Sequence, residues 1–207
     1  MKQETIKRIL SSIIIIPIVL FFIIKGSVYF IFFLIVFFLI TSYEWFKMTK
    51  GKIHLFLGII FLLFSCCTAY LLRGTTFLEL MIFLFVLLVC VSTDIGGYTF
   101  GNIFKGPKLT KISPNKTYSG MIGGYFLSII CSNLYVQEYA VFIQNDIELL
   151  TTVLLISSVS QFGDLLISYF KRISKIKNTG KLLPGHGGLL DRVDGIIFAV
   201  PFAYFFI

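Results

Sequence analysis

The stretch QFGDLLISYFKRISKIKNTGKLLPGHGGLLDRVD, from Gln161 to Asp194, places a densely charged connection between two apolar segments. Five Lys or Arg residues come before Pro184, a glycine-rich turn follows, and Asp191, Arg192 and Asp194 come directly after the turn. Charged side chains beside membrane-length apolar segments are costly, so their density here indicates a use. We therefore expect a functional site between two membrane helices at this position.

Apolar residues dominate the rest of the chain. Of its 207 residues, 57% are hydrophobic and 14% are charged, whereas soluble domains are about 25% charged. This composition predicts an all-α, polytopic transmembrane helical bundle. The net charge of +8 would also suit a nucleic-acid partner, but the basic residues lie in the connections between apolar segments, which argues against nucleic acid.

Seven apolar segments predict about seven spans, because a helix needs about 20 residues to cross the hydrocarbon core. The first two segments are short and form either two spans or one re-entrant pair split at Lys25 and Gly26; we favour two spans. The segments are Ile9–Ile24, Val28–Thr41, Ile53–Leu72, Thr76–Ser92, Ser119–Val136, Ile147–Ile167 and Gly188–Ile207.

The basic residues are distributed asymmetrically. All but Lys25 and Arg73 of the 18 Lys and Arg residues lie in the N-terminal tail or in and beside every second connection. The positive-inside rule then predicts a cytoplasmic N-terminus and an active site at the cytoplasmic face, with loops 93–118 and 168–187 on that side. Residues 1–92 would form N-terminal transmembrane helices and residues 93–207 the catalytic region of a multi-pass protein in the cell inner membrane or plasma membrane.

The sixth apolar segment carries a polar face. If it is helical, Gln161, Asp164, Ser168 and Lys171 lie on the same side, because they are spaced at i, i+3, i+7 and i+10. Asp164 is then either an interfacial acid, solvated or paired with Lys171, or a functional carboxylate. We favour function, because an acid inside a membrane segment is a functional-site hypothesis by default.

Two further acids follow on the last segment. Asp191 and Asp194 are three residues apart, so on a helix they face the same way. With Asp164 they could form an oxygen-rich cage, which suits Mg²⁺ when phosphates complete its coordination shell. Arg192, between them, could bind a phosphate or hold a carboxylate.

Two glycine-containing stretches allow alternative interpretations. The turn Pro184–Gly188 is either flexible or a loop whose backbone N–H groups approach a phosphate, and His186 could be a base, a ligand or a turn donor. The segment Asp94–Lys116 is either a lysine-rich cytoplasmic loop with GxxxG-type helix packing or a second anion-binding surface. For this segment, spacing alone favours neither interpretation. The GxxxG-type packing would involve the pairs Gly97/Gly101 and Gly120/Gly124.

An acidic cluster with Mg²⁺, ringed by basic residues, suits a reaction on phosphates at the membrane surface. The motifs resemble those of the phosphatidate cytidylyltransferase (CDP-diacylglycerol synthase) family. The S-x-x-K-R and P-G-H-G-G-x-x-D-R-x-D motifs match Ser168, Lys171, Arg172, Pro184, Gly185, His186, Gly187, Gly188, Asp191, Arg192 and Asp194. The upstream motifs, D-x-G-A-Y-x-x-G, K-x-S-P-x-K-T and G-D, resemble Asp94, Gly96, Tyr98, Gly101, Lys111, Ser113, Pro114, Lys116, Thr117, Gly163 and Asp164. Together these motifs are far more specific than any one alone.

The resemblance implies that CTP and phosphatidate react, with Mg²⁺, to give CDP-diacylglycerol and pyrophosphate for phospholipid biosynthesis; a second cation is left open. It implies Asp164 and Asp191 as metal ligands and Asp164, Asp191, Asp194 and Lys171 as the catalytic set. The substrate-binding residues that it implies are Ser168, Arg172, His186, Gly187, Gly188, Arg192, Asp94, Lys111, Ser113 and Lys116. The expected partners are CTP, phosphatidic acid and the lipid bilayer; a homodimer is left open and nucleic acid is not expected.

Two other functions remain as alternatives. A transporter could use Asp94 and Asp164 as acids along an ion path, although the charge concentrates at one membrane face and no inverted repeat is visible. A CTP-dependent lipid kinase would instead move a phosphate from the nucleotide to a lipid alcohol. Identifying the products made from CTP and phosphatidate would distinguish these functions.

The chain departs from the family in two places. Asn178 stands where the family usually has an acid after a lysine, and we predict that an aspartate there leaves activity unchanged or raises it. The chain also looks short on its N-terminal side, so some helices of the family are expected to be missing.

Overall fold

A computed structural model describes residues 2–49, 54–110, 112–139, 145–180, 182 and 187–207. These residues form eight helices, and between the helices one isolated antiparallel bridge pairs Lys108 with Thr117. The helices are α1 (Lys2–Lys25), α2 (Ser27–Thr49), α3 (His54–Arg73), α4 (Phe77–Phe104), α5 (Tyr118–Tyr139), α6 (Asp146–Ile173), α7 (Leu190–Val193) and α8 (Ile196–Phe206).

The helix lengths confirm the predicted all-α membrane bundle. Five helices, α2 to α6, are long and apolar enough to cross a membrane, and Ile13–Lys25 and Ile196–Phe206 are shorter apolar helices. The predicted seventh segment, Gly188–Ile207, is not one continuous helix, because a turn at Asp194 and Gly195 separates α7 from α8. With 11 residues, α8 is only about 17 Å long.

The first two segments form two separate helices of 24 and 23 residues. The helix α2 is long and apolar enough to cross a membrane, whereas the apolar part of α1, Ile13–Lys25, is shorter than the about 20 residues that a span needs. The break between them lies at Gly26 and Ser27, which both have left-handed φ values of 62° and 47°. Glycine adopts this conformation without steric penalty, so the chain can reverse within two residues.

Arg73, at the end of α3, closes the C-terminal end of α1. Its guanidinium donates to the carbonyl oxygens of Ile23 and Ile24, each at 3.0 Å, and of Gly74 at 2.8 Å. The residue is 6% exposed. The last carbonyls of a helix have no partner within the helix, so a buried cation there stabilises the helix end. Gly26 is required beside it, because a Cβ at position 26 would collide with the guanidinium.

Several helices extend further than the sequence predicted, and two of these extensions, in α4 and α6, shorten the loops of the site. The predicted loop 93–118 is helical as far as Phe104, and the predicted loop 168–187 is helical as far as Ile173. The connections are therefore shorter, and that after α4 consists of residues 105–117. The glycines after Asp94 look like loop residues in the sequence, but glycine is frequent in membrane helices, where it permits close packing.

The glycines of α4 and α5 form a tight helix–helix contact. A Cβ on Gly96 would collide with the carbonyl oxygen of Gly123, and a Cβ on Gly120 would lie 2.6 Å from the carbonyl oxygen of Gly97. The GxxxG-type packing interpretation of this segment is therefore confirmed, with Gly96 and Gly123 as further contact residues. The close contact holds Asp94, on α4, beside the start of α5.

Two buried apolar clusters support the bundle. The larger has its centre at α4 and α6, where Phe85, Val86 and Val153 are fully buried. The smaller consists of buried residues from α2, α3, α6, α7 and α8, namely Trp45, Met48, Leu62, Ile167, Leu190 and Ile197. This second cluster lies under α7, so it fixes the charged segment against the membrane helices.

We predict that Arg73→Met destabilises the protein, since it removes the guanidinium donors to the Ile23 and Ile24 carbonyl oxygens at the end of α1. A buried acceptor left without a donor costs about 1–3 kcal/mol, so we expect the free energy of unfolding to fall by about 2–4 kcal/mol. The measurement is the thermal unfolding midpoint in detergent. Lys25→Met, at the other basic residue of the alternate connections, is the control, and an equal shift in both variants would contradict the helix-closing role.

Candidate active site

The predicted site residues meet in one cavity of about 420 Å³, bounded by α4, α5, α6, the 105–117 connection and the segment around α7. The sequence-predicted residues that line it are Asp94, Ser113, Lys116, Asp164, Lys171, Asp191, Arg192 and Asp194. They come from all three motif regions of the sequence. The Asp94–Lys116 segment, for which the sequence left a second anion-binding surface open, therefore supplies one wall of the same cavity.

The polar face of α6 is arranged as its spacing predicts. Gln161, Asp164 and Lys171 line the cavity, and Ser168 donates to Asp164 Oδ1 at 3.3 Å. Asp164 does not pair with Lys171: its other oxygen forms an ion pair with Lys116 from the 105–117 connection. An ion pair between residues 48 positions apart in sequence cannot be read from helical spacing.

Lys171 pairs with both acids of the last motif. Its ammonium lies 3.0 Å from Asp191 Oδ1 and 3.7 Å from Asp194 Oδ2. All three side chains are nearly buried, at 10%, 8% and 11% exposed. This confirms that Asp191 and Asp194 face the same way, and one buried cation stabilises both carboxylates.

Asp191 also holds the glycine-rich segment in place. Its Oδ2 accepts hydrogen bonds from the backbone N–H groups of Thr179 at 2.9 Å and Gly188 at 3.0 Å. The Gly188 N–H is therefore directed at a carboxylate of the protein. Gly187 has a left-handed φ of 89°, a conformation that favours glycine. Neither glycine lines the cavity.

Two other predicted residues support the cavity without lining it. Arg172 donates to the carbonyl oxygens of Ile112 at 3.1 Å and Ile176 at 3.4 Å, so it fastens the 105–117 connection to the end of α6. Ser168 lies behind Asp164. Lys111 and His186 fall outside the described residues.

The carboxylates of α4, α6 and the α7–α8 turn lie close together. A Cβ on Gly163 would lie 2.9 Å from the Asp194 carbonyl oxygen, and a Cβ on Gly195 would lie 2.9 Å from that of Ser160. These contacts bring Asp164 beside Asp194, and Asp94 interacts electrostatically with both. The repulsion among these carboxylates favours cations beside them, such as the ammonium groups of Lys116 and Lys171.

The donor chemistry of the cavity fits Mg²⁺ when a substrate completes the shell. Among the described residues, no three Asp, Glu, His or Cys side chains are arranged to hold a metal ion by themselves. Mg²⁺ commonly takes one or two protein carboxylates and fills its remaining positions with substrate phosphates and water. The oxygens of Asp164 and its acidic neighbours supply carboxylates of this kind.

Sequence reasoning missed Glu44 of α2. Its carboxylate accepts hydrogen bonds from Thr179 Oγ1 and from the backbone N–H groups of Leu189 and Leu190, directly before Asp191. One signal was present: Glu44 is the only acid between positions 5 and 78. Its position near Lys47 made it look like an ordinary interfacial residue.

A membrane helix bundle with lysines, an arginine and carboxylates around one cavity defines a membrane enzyme that acts on phosphates. Residues 52–207 match the model of the cytidylyltransferase family. The chain therefore belongs to the cytidylyltransferase family and is a nucleotidyltransferase, which favours the enzyme over the transporter and the lipid kinase.

Three relatives show the extent of the similarity, and each is named phosphatidate cytidylyltransferase. The protein of Rickettsia felis is 32% identical over 99% of this chain and 92% of its own length. That of Brucella suis is 41% identical over 72% of this chain and 55% of its own length. That of Staphylococcus aureus is 44% identical over 57% of this chain and 45% of its own length. The family resemblance seen in the motifs is confirmed.

We predict that Gly163→Ala lowers stability, because its Cβ would collide with the Phe198 ring and would press on the Asp194 carbonyl. Overpacking of this kind costs about 1–3 kcal/mol, and it should lower the thermal unfolding midpoint in detergent. The control is Gly97→Ala, whose Cβ would meet nothing nearer than 3.7 Å. Equal midpoints for the two variants would show that the contact between α6 and α8 can relax freely.

Proposed function

We propose that this protein transfers the cytidylyl group of CTP to phosphatidate, forming CDP-diacylglycerol and pyrophosphate for phospholipid biosynthesis. The observation that carries the proposal is the cavity in which Lys116, Lys171 and Arg192 lie among the carboxylates. The names of the bacterial relatives support the same substrates. They also support a location in the inner or plasma membrane. That the protein forms a homodimer stays a prediction.

A second cavity supports a lipid substrate. It is apolar, has a volume of about 590 Å³ and is lined by residues of α1 to α4 and α8, including Phe30, Leu87 and Val200. Arg192 lines both this cavity and the polar one. Phosphatidate could therefore place its phosphate at Arg192 and its acyl chains on the apolar side, while CTP enters the polar cavity from the aqueous face.

The basic residues would hold the reacting phosphates in line. A phosphatidate oxygen attacks the α-phosphorus of CTP, the bond from that phosphorus to the bridging oxygen of the β-phosphate breaks, and pyrophosphate leaves. Lys116 and Lys171, which pair with carboxylates in this structure, can turn to the triphosphate and stabilise the charge on the leaving group. Arg192 can hold the attacking phosphate by two parallel hydrogen bonds.

Mg²⁺ is the proposed cofactor, held by Asp164 and Asp191 with Asp194 as a near neighbour or further ligand; a second cation is left open. When bound, it neutralises charge on the phosphate oxygens. Ser168 orients Asp164 through its hydrogen bond. Lys171 pairs with Asp191 and Asp194 in this structure and can release them to a cation when the substrates arrive.

Product analysis tests the proposed function. The purified protein in detergent is given labelled CTP, phosphatidate and Mg²⁺, and the lipid and nucleotide products are separated. Pyrophosphate and a CDP-lipid are the expected products. A phosphorylated lipid alcohol with CDP, formed when diacylglycerol is supplied, would indicate the kinase, and the absence of any turnover would overturn the proposal in favour of transport.

We predict that Asp164→Asn and Asp191→Asn each abolish turnover while the protein still inserts and folds. Each change removes a negative charge from the cavity and keeps the shape of the side chain. Asp146→Asn is the matched control, because it makes the same change in the first turn of α6, at the opposite end of the helix from the cavity. A wild-type rate from either cavity variant would remove that residue from the metal site.

We predict that Asn178→Asp leaves the rate unchanged or raises it. Asn178 lines the cavity and directly precedes Thr179, whose N–H binds Asp191, so a carboxylate there adds an oxygen ligand for a cation. The measurement is turnover as a function of Mg²⁺ concentration. Asn115→Asp adds the same charge on the 105–117 side of the cavity and serves as the control. A sharp loss of rate in Asn178→Asp alone would show that the amide itself is needed.

A further inference from the structure

Glu44 is a buried acid on a helix remote in sequence from the motifs. It lies on α2, is 4% exposed, and precedes residues 52–207, which match the family model. Among the described residues, no lysine or arginine forms an ion pair with it. A buried carboxylate without a cation needs several hydrogen bonds to remain in place.

The hydrogen bonds come from two segments of the site. Oε1 accepts from the Leu189 N–H at 2.9 Å, and Oε2 accepts from the Leu190 N–H at 2.8 Å and from Thr179 Oγ1 at 2.9 Å. Both oxygens are therefore used, one of them twice. The donors lie on either side of the glycine-rich turn, so one carboxylate joins the segment at Thr179 to the segment at Leu189 and Leu190.

The contact leaves no space around the carboxylate. A Cβ added to Gly188 would collide with Thr179 Oγ1 and press on Glu44, and a Cβ on Gly180 would lie 2.5 Å from Glu44 Oε1. Glycine at both positions therefore permits the close approach of the two segments. The neighbouring Trp45 and the fully buried Leu190 pack in the same apolar cluster, which fixes α2 against this segment.

The same segments also carry the cavity residues. Asp191 Oδ2 accepts from the N–H groups of Thr179 and Gly188, while Glu44 binds the Thr179 hydroxyl and the next two N–H groups. Glu44 and Asp191 thus accept hydrogen bonds from the same two segments, one at Thr179 and the other at Gly188 to Leu190. A shift of the Leu189–Leu190 segment would move Asp191 and Arg192, because they follow it directly.

We propose that Glu44 is a positioning residue for cytidylyl transfer: its carboxylate fixes the segments on both sides of the glycine-rich turn, so that Asp191 and Arg192 keep their places in the cavity. The inference rests on the proposed function. Glu44 does not line the polar cavity, and it acts through Thr179, Leu189 and Leu190.

The test compares Glu44→Gln with the wild type. The amide keeps the shape of the side chain but directs an NH₂ group at donors, so the segment must shift. We expect kcat to fall about tenfold or more, since misplacement by about 1 Å can cost about 100-fold. KM for CTP should stay within about threefold, because Lys116 is held by Asp164 of α6 and not by the segments that Glu44 fixes.

Amide hydrogen exchange in detergent, without metal or substrates, supplies a second readout. We expect faster exchange at Leu189 and Leu190 in Glu44→Gln, with the rest of the bundle unchanged. Glu79→Gln is the matched control: Glu79 forms a capping box at the start of α4, which glutamine can also form, and it should keep the wild-type kcat and exchange pattern.

Thr179→Val keeps the proposal testable if Glu44→Gln does not fold, because it removes only one of the hydrogen bonds to Glu44. We expect a smaller fall in kcat, and the double variant should be no slower than Glu44→Gln alone, since both changes break the same contact. A wild-type kcat in folded Glu44→Gln, or in Thr179→Val if the former does not fold, would overturn the proposal. A wild-type enzyme that makes no CDP-lipid would instead overturn the proposed function, while exchange still reports whether Glu44 holds Leu189 and Leu190.

Discussion

The structure depends on stabilising several carboxylates at one end of an apolar bundle. Glu44 and Asp194 are 4% and 7% exposed, and the side chains of Asp164 and Asp191 are 25% and 8% exposed. A buried charge that loses its partner destabilises a protein strongly, so each carboxylate requires a cation or several donors. Lysines form ion pairs with three of them. Two backbone N–H groups and the Thr179 hydroxyl donate to Glu44. These ion pairs and hydrogen bonds hold the connections in place, as apolar packing holds the helices.

Glycine makes this arrangement possible. The pairs of charges come from helices and connections far apart in sequence, and they meet only where backbones approach closely. Gly96 and Gly120 permit this between α4 and α5, Gly163 between α6 and α8, and Gly188 between the turn and α2. Membrane helices do not associate through the hydrophobic effect that acts in water. Close van der Waals packing, which small residues permit, holds them together instead. The glycines of the motifs therefore serve packing first, and Gly188 presents its N–H to a carboxylate of the protein.

Periodicity predicted the parts of the fold and site that depend on local spacing. The apolar segments gave the helices, and the i, i+3 and i+7 spacings placed Asp164 with Ser168 and Asp191 with Asp194, as the structure confirms. The predicted fourth segment ends at Ser92, 12 residues before the end of α4 at Phe104. Glycine misleads here because it is typical both of loops and of close contacts between membrane helices. The partners of Asp164 and Lys171 were also not predictable, since each depends on tertiary contacts.

Glu44 shows why the motif-bearing half of the chain does not define the site alone. Buried backbone N–H groups need acceptors, and those of Leu189 and Leu190 find theirs on α2. The first four N–H groups of any helix have no acceptor within it, and α7 has only four residues. A segment that short remains helical because another element supplies the acceptor. The N-terminal helices are therefore part of the site's structure, and the acid of α2 is the residue through which they act on it.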